Sequence, residues 1–213
     1  MHMQLLVAGP SLRSAELTNY MPTVAVNEAL FWAPAGFTWI FMDPVCPYIC
    51  ASGPSEHLQP QQPGAICCTH ESRNHARAGA LPYIGEFKGE IIEAEKLRKI
   101  LPAELRTAYT MTYALLLCAR LGATCIHVRG CSWNGTGHAT GRDDQASEAE
   151  MWQVGEHPET DSWLRLKHGL QLEPGGHLTR WHRERAEVEI AAAWMEEHLG
   201  IVTKGLPPME APA

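Results

Sequence analysis

The chain has 213 residues and a net charge of −7, from 17 basic and 24 acidic side chains. That length suits one well-packed α/β domain or one domain with a lid, and the acidic balance argues against a wide duplex-binding surface while leaving room for a pocket that takes one nucleotide or one flipped base. No apolar run is long enough to span a bilayer, Met1–Leu6 lacks the basic start and long apolar core of a signal peptide, and seven cysteines in no regular framework point to a reducing, cytoplasmic compartment.

The first element sets the frame for the others. Leu5 to Ala8 is a short, wholly apolar run that ends in Gly9-Pro10-Ser11, as a buried parallel strand does where it enters a helix. Gly9 lets the backbone turn tightly and approach a ligand. Pro10 suits a first helical position, and Ser11 adds a hydroxyl beside the opening N–H groups, which attract a phosphate. A short helix is predicted over Ser11 to Tyr20. Thr23–Val26 is a second strand, after which Asn27 either reaches a ligand at the strand's carboxyl end or caps a helix over Glu28 to Trp32. Thr38–Met42 is a third strand, followed by Asp43-Pro44. Asp43 there is either a ligand for a metal or a ribose hydroxyl, or a turn-forming residue.

Residues Pro44 to Gln62, rich in Pro, Ser and Gln, read as irregular. Ala65–Thr69 is a fourth strand, and His70, Arg73, Asn74, His75 and Arg77 follow it as a basic cluster or a solvated loop. Cys46, Cys50, Cys67, Cys68 and His70 lack a second pair at zinc spacing, so buried thiols are the preferred reading and no metal site is assigned. A short helix is expected within Gly85 to Ile100. Ala103 to Leu121 is the clearest helix, with Leu105, Ala108, Thr112, Leu115 and Ala119 on one stripe and Gly122 as its cap. It feeds a strand over Thr124–Val128, half of a βαβ crossover.

Trp133 to Arg180 differs in texture, with scattered Trp, His, Gly and Pro. It reads as a long lid or acceptor insertion (residues 133–181) over the sheet rim of a single domain covering 1–213. Trp133, Trp152, Trp163 and Trp181 suit a stacking surface for a sugar or a base. Arg183 to Leu199 is a second amphipathic helix, with Val188, Ala192, Met195 and Leu199 inward and Glu184, Glu187, Glu196 and Glu197 outward. A last strand, Ile201–Thr203, leaves through Lys204-Gly205.

Several of these pieces together resemble a known pattern: a strand ending in Gly9-Pro10-Ser11-Leu12, a second ending in Asn27, a Thr-containing buried helix, a strand leaving at Gly130, and a His before the final helix. The chain is similar to the bacterial sialyltransferases with a Rossmann-like domain, and to the related 6-hydroxymethylpterin diphosphokinase-like proteins, which phages carry in variant form. The resemblance covers roughly residues 4–43, 106–132 and 182–206. It implies a mostly parallel Rossmann-like sheet flanked by helices, and a nucleotide held by Gly9, Pro10, Ser11, Asn27, Thr110, Gly130 and Ser132. The family's Gly-x-Asp corresponds here to Gly130-Cys131-Ser132, without the Asp. His182 is the nearest match to the family's general base, in a shifted register, and reads otherwise as an exposed His at a helix start; an unperturbed imidazole has the pKa for the base's task. Arg129 or Arg180 would steady the leaving phosphate. The expected function is a nucleotide-sugar-dependent glycosyltransferase acting on an acceptor hydroxyl of a glycan, a metabolite or a modified nucleobase, with no membrane partner, and it needs no metal because fixed donors stabilise the leaving group. Two alternatives stay open. One is an ATP-dependent diphosphokinase in which Asp43 helps to hold magnesium. The other is a nucleotide-binding module without catalysis. Oligomeric state is left open.

Overall fold

The computed structural model describes residues 1–42, 60–70, 72–73, 84–85, 87–103, 105, 109–131 and 176–207, with only the backbone described at Pro10, Arg13 and 176–183. Asp43, Ser132, Trp133, Trp152, Trp163 and nearly all of the expected lid lie outside the described residues.

Seven strands form one all-parallel sheet. They are β1 (His2–Leu6), β2 (Thr23–Val26), β3 (Thr38–Ile40), β4 (Ala65–Cys68), β5 (Glu90–Glu93), β6 (Cys125–Arg129) and β7 (Val202–Lys204). Their spatial order is β5-β4-β3-β2-β1-β6-β7. Two α-helices are described, α1 (Thr110–Arg120) and α2 (Gly176–Leu199), with three 3-10 helices over Pro10–Ser14, Asn27–Trp32 and Ala94–Ile100. The α/β class and the parallel sheet agree with the sequence reading.

Strand pleat divides the core in two. Met3, Leu5, Val24, Val26, Ile40, Cys67, Ile92, Ile126 and Val128 point to the face covered by α1, α2 and Leu97 of the third 3-10 helix. Leu6, Ala25, Trp39, Phe41, Ile66 and Cys68 point to the other, covered by Leu12, Ala29 and Leu30 of the first two 3-10 helices. With both faces buried, these strands read as near-continuous apolar runs rather than as alternations.

Several boundaries are corrected. The first strand starts at His2 and not at Leu5, because His2 and Gln4 interrupt the apolar run that the sequence reading required. The helix expected over Ser11 to Tyr20 is a five-residue 3-10 turn. Gln4, 1 % exposed, explains its early end. Its side-chain amide donates to Thr18 O at 2.7 Å and accepts from Thr18 N at 3.3 Å. The amide thus stands in for a backbone partner, and the chain at Thr18 is tied to β1 rather than to a helical turn.

The short helix expected within Gly85 to Ile100 is the 3-10 helix over Ala94–Ile100, and a strand that was not expected precedes it. Ile91 and Ile92 lie in β5, the edge strand beside β4, and the helical segment begins only at Ala94. Two adjacent isoleucines between glutamates are too short a run to set the period. Helix α1 starts at Thr110 rather than Ala103, with Tyr109 extended, and Gly122 follows its end at φ +88°. Helix α2 starts seven residues earlier than expected, at Gly176, so it absorbs the last residues assigned to the lid. The last strand is shifted by one, to Val202–Lys204.

The basic cluster after β4 is partly committed to structure. Arg73 pairs with Glu93 at 2.5 Å, and Glu95 accepts from the His70 N–H at 2.9 Å. Cys67 and Cys68 are buried free thiols; burial is the main cause that pushes Cys68 up to about 12 and Cys67 higher still, which suits packing rather than reactivity.

Candidate active site at the carboxyl edge

Strand order creates a topological switch point between β1 and β6. From β1 the chain steps outward through β2, β3, β4 and β5, then returns to the far side of β1 as β6. The connections after β1 and β6 therefore leave in opposite directions, and open α/β sheets bind ligands at the carboxyl ends of such a pair.

Gly9 and Gly130 both leave the sheet at this switch point. Past the last ladder pair, Leu6 with Arg129, the Val7 N–H still donates to Arg129 O at 2.8 Å. Gly130 then turns at φ +76°, and a Cβ there would strike Val7 O and lie 2.6 Å from the Leu12 Cβ. The β6 exit is thus pressed onto the turn after β1, which only glycine permits. Gly9 itself is extended, at φ −71°. It does not use left-handed backbone, contrary to the tight-turn expectation. The following N–H of Leu12 is occupied, donating to Gly9 O at 2.9 Å, and Ser11 is exposed.

Asn27 leaves β2 on the other flank of β1. It is the one non-glycine residue among those described with a positive φ, +50°, and asparagine tolerates that region better than most residues. It does not serve as the helix cap suggested as an alternative: Val26 is the cap, and Asn27 opens the 3-10 turn. Its carbonyl accepts from the indole N–H of Trp39 at 2.9 Å. Strained backbone of this sort concentrates where a side chain must be aimed.

Two helices add their amino ends. Each precedes a parallel strand, so each runs back across the sheet and starts at the carboxyl edge. The Tyr109 N–H, just ahead of Thr110, donates to Glu187 Oε1 of α2 at 3.2 Å. A carboxylate therefore already serves the α1 amino end, where the sequence reading set a nucleotide beside Thr110. Cys131 after β6 is half-buried; burial pushes its thiol up to about 12, with the Glu184 charge adding and the Arg185 charge opposing. Those two charges bring the 184–185 turn of α2 close to the β6 exit. Arg185 also pairs with Glu189 at 2.9 Å.

The expected residues fall as follows. Gly9, Pro10, Ser11, Asn27, Thr110, Arg129 and Gly130 all belong to carboxyl-edge exits or helix starts. Arg129 ends β6 on the pleat side of Cys125 and His127. His182 and Arg180 lie in the first two turns of α2, upstream of Glu184, with their side chains outside the described residues. Glu187 and Trp39 were missed as site-shaping residues. Glu187 reads in sequence as a wet-face carboxylate, and its partner is 78 residues away. A cavity of about 210 Å³ is described at the opposite, amino edge, lined by residues including Tyr20, Pro22, Pro34 and Phe37.

No protein-family model and no curated protein sequence matches the chain. Solved structures do. A CMP complex of a Tyr-to-Phe variant of the sialyltransferase CstII aligns with a TM-score of 0.53 at 14% identity, over 94% of this chain and 79% of that one. A second CMP complex, of an Asn-to-Ala variant, gives 0.51 at 15% over 94% and 80%. The α-2,3/8-sialyltransferase CstII with a Phe-to-Tyr change gives 0.50 at 12% over 95% and 80%. CstII comes from Campylobacter jejuni. On that likeness the chain has the α/β fold of the CstII sialyltransferases.

Proposed function

We propose that the protein is a nucleotide-sugar-dependent glycosyltransferase, with a cytidine nucleotide as the carrier and a hydroxyl-bearing glycan as acceptor. The observation that supports this most is that the Gly9, Asn27 and Gly130 exits follow the carboxyl ends of the adjacent strands β1, β2 and β6, in a fold shared with CMP-bound CstII. In this reading the nucleotide lies across the carboxyl ends of β1 and β2. The side chain of Asn27 is aimed by its left-handed backbone, and Gly130 keeps the floor low. The acceptor oxygen attacks the anomeric carbon, the bond from that carbon to the phosphate oxygen breaks, and His182 takes the acceptor proton. Arg180 or Arg129 offsets the charge left on the phosphate.

Thermal unfolding with CMP, UDP, GDP and ATP, each with and without magnesium, tests the donor. CMP at a hundredfold excess over its Kd is expected to raise Tm by roughly 5–10 °C without metal. Asn27→Gly keeps the backbone turn and removes the amide; it is expected to unfold like the parent and to lose most of that shift. A shift seen only with ATP and magnesium would move the protein to the diphosphokinase class. His182→Ala is expected to bind CMP normally and to lower turnover of a CMP-linked sugar by about a hundredfold or more. Unchanged turnover in that variant would remove His182 from the chemistry.

A further inference from the structure

At the amino end of β1 and β6, away from the switch point, three metal-ligating side chains meet. His2 stands directly opposite Cys125 in the ladder, and His127 lies two residues further along β6, on the same pleat side as Cys125. Cross-strand partners and their diagonal neighbours are within reach of one another on one face. His2 Nδ1 and His127 Nε2 are 3.1 Å apart, and Cys125 Sγ lies 3.5 Å from His127 Nε2. One ligating atom from each of the three residues lies within 4.8 Å of the other two.

Those spacings suit hydrogen bonding through His127, and they also lie within a few tenths of an ångström of what a metal centre requires. With Zn–N of about 2.0–2.1 Å and Zn–S of about 2.3 Å at tetrahedral angles, two nitrogens stand about 3.4 Å apart and a nitrogen and a sulfur about 3.6 Å. The donor set, two imidazoles and a thiol, is the borderline-soft set that zinc takes. Cys125 is buried, His127 is half-buried and His2 is exposed, so the fourth position opens to solvent. Burial is the main cause that lowers the His127 pKa, and the His2, Arg129 and Lys204 charges act in the same direction.

We propose that His2, Cys125 and His127 form a zinc site that fastens the start of β1 to β6, with one position left for water or an exogenous ligand. On binding, the S–Zn bond forms as the Cys125 proton passes to buffer. The site does not rest on the glycosyltransferase reading, because none of its three ligands takes part in that reading.

The test uses the full chain without a polyhistidine tag, in reducing buffer, titrated with Zn²⁺ against a chromophoric chelator and separately with Co²⁺. One equivalent is expected to bind, with a thiolate-to-cobalt charge-transfer band in the near ultraviolet. His2→Gln, at an exposed position that leaves the core intact, is expected to weaken Zn²⁺ binding by about a hundredfold. Cys125→Ser is expected to abolish the cobalt band. Zinc held equally well by His2→Gln, or a cobalt band undiminished in Cys125→Ser, would assign the metal to other thiols and overturn the proposal; so would the absence of stoichiometric binding to the parent.

Discussion

Gly130→Ala is expected to lower stability by about 2–5 kcal/mol, or roughly 5–15 °C in Tm, and to abolish the CMP-induced thermal shift. Two terms add. A non-glycine residue at φ +76° carries about 1–2 kcal/mol of left-handed strain. The new methyl group also meets Val7 O and the Leu12 side chain; crowding of a packed site costs typically about 1–3 kcal/mol. Neither neighbour yields cheaply. Val7 is anchored by its own N–H to Arg129 O at 2.8 Å, and Leu12 is 1 % exposed within the second core. Gly122→Ala provides the comparison. Its φ is +88°, but a Cβ there meets nothing within 4 Å, so only the strain of about 1–2 kcal/mol applies. Urea denaturation of both variants separates the two terms. Equal losses would mean that the β6 exit does not press on the β1 turn, and the packing at the switch point would need redrawing.

The second large effect is expected at Trp39. Trp39→Ala should cost about 3–5 kcal/mol, as truncation of a buried tryptophan does. Trp39 is 1 % exposed, and its ring centroid lies 4.4 Å from that of Phe41. Trp39→Phe is the more informative change. It keeps much of the packing but withdraws the indole N–H that the Asn27 carbonyl accepts at 2.9 Å. A lost donor to a part-buried carbonyl costs about 1–3 kcal/mol. Because Asn27 holds φ +50°, losing the indole bond weakens the hold on that turn. CMP affinity is therefore expected to fall in Trp39→Phe by more than the small stability change accounts for, read by calorimetric titration at a temperature where the variant is fully folded. Affinity equal to the parent's would disconnect the Trp39–Asn27 bond from the site.

Strand content was legible where burial on both faces left an apolar signature. Thr23–Val26 and Ala65–Cys68 stand out as short runs bounded by polar or glycine residues, because a parallel strand between two covered faces has no polar side to interrupt it. Strands β1 and β5 were harder. His2 and Gln4 put polar atoms on a pleat that the sheet centre keeps apolar elsewhere, and β5 is an edge strand flanked by glutamates. The helix after Gly9 was misread for a physical reason that no local window contains: the Gln4 amide captures the backbone at Thr18 from fourteen residues away.

The candidate site divides along the same line. Residue types and their succession along the chain dictated a parallel α/β domain and picked out Gly9, Asn27 and Gly130 as exits, since each follows an apolar run with a residue suited to a turn. Which exits follow neighbouring strands was settled by the return of β6 to the far side of β1, a matter of strand order that no local pattern encodes. Folding alone paired Glu187 with Tyr109, Trp39 with Asn27, and His2 with Cys125 and His127. Those partners are 78, 12 and more than a hundred residues apart. Short-range propensity reports how each segment prefers to fold, whereas side-chain partnerships across the sheet depend on the register of strands that meet only once the chain has closed on itself.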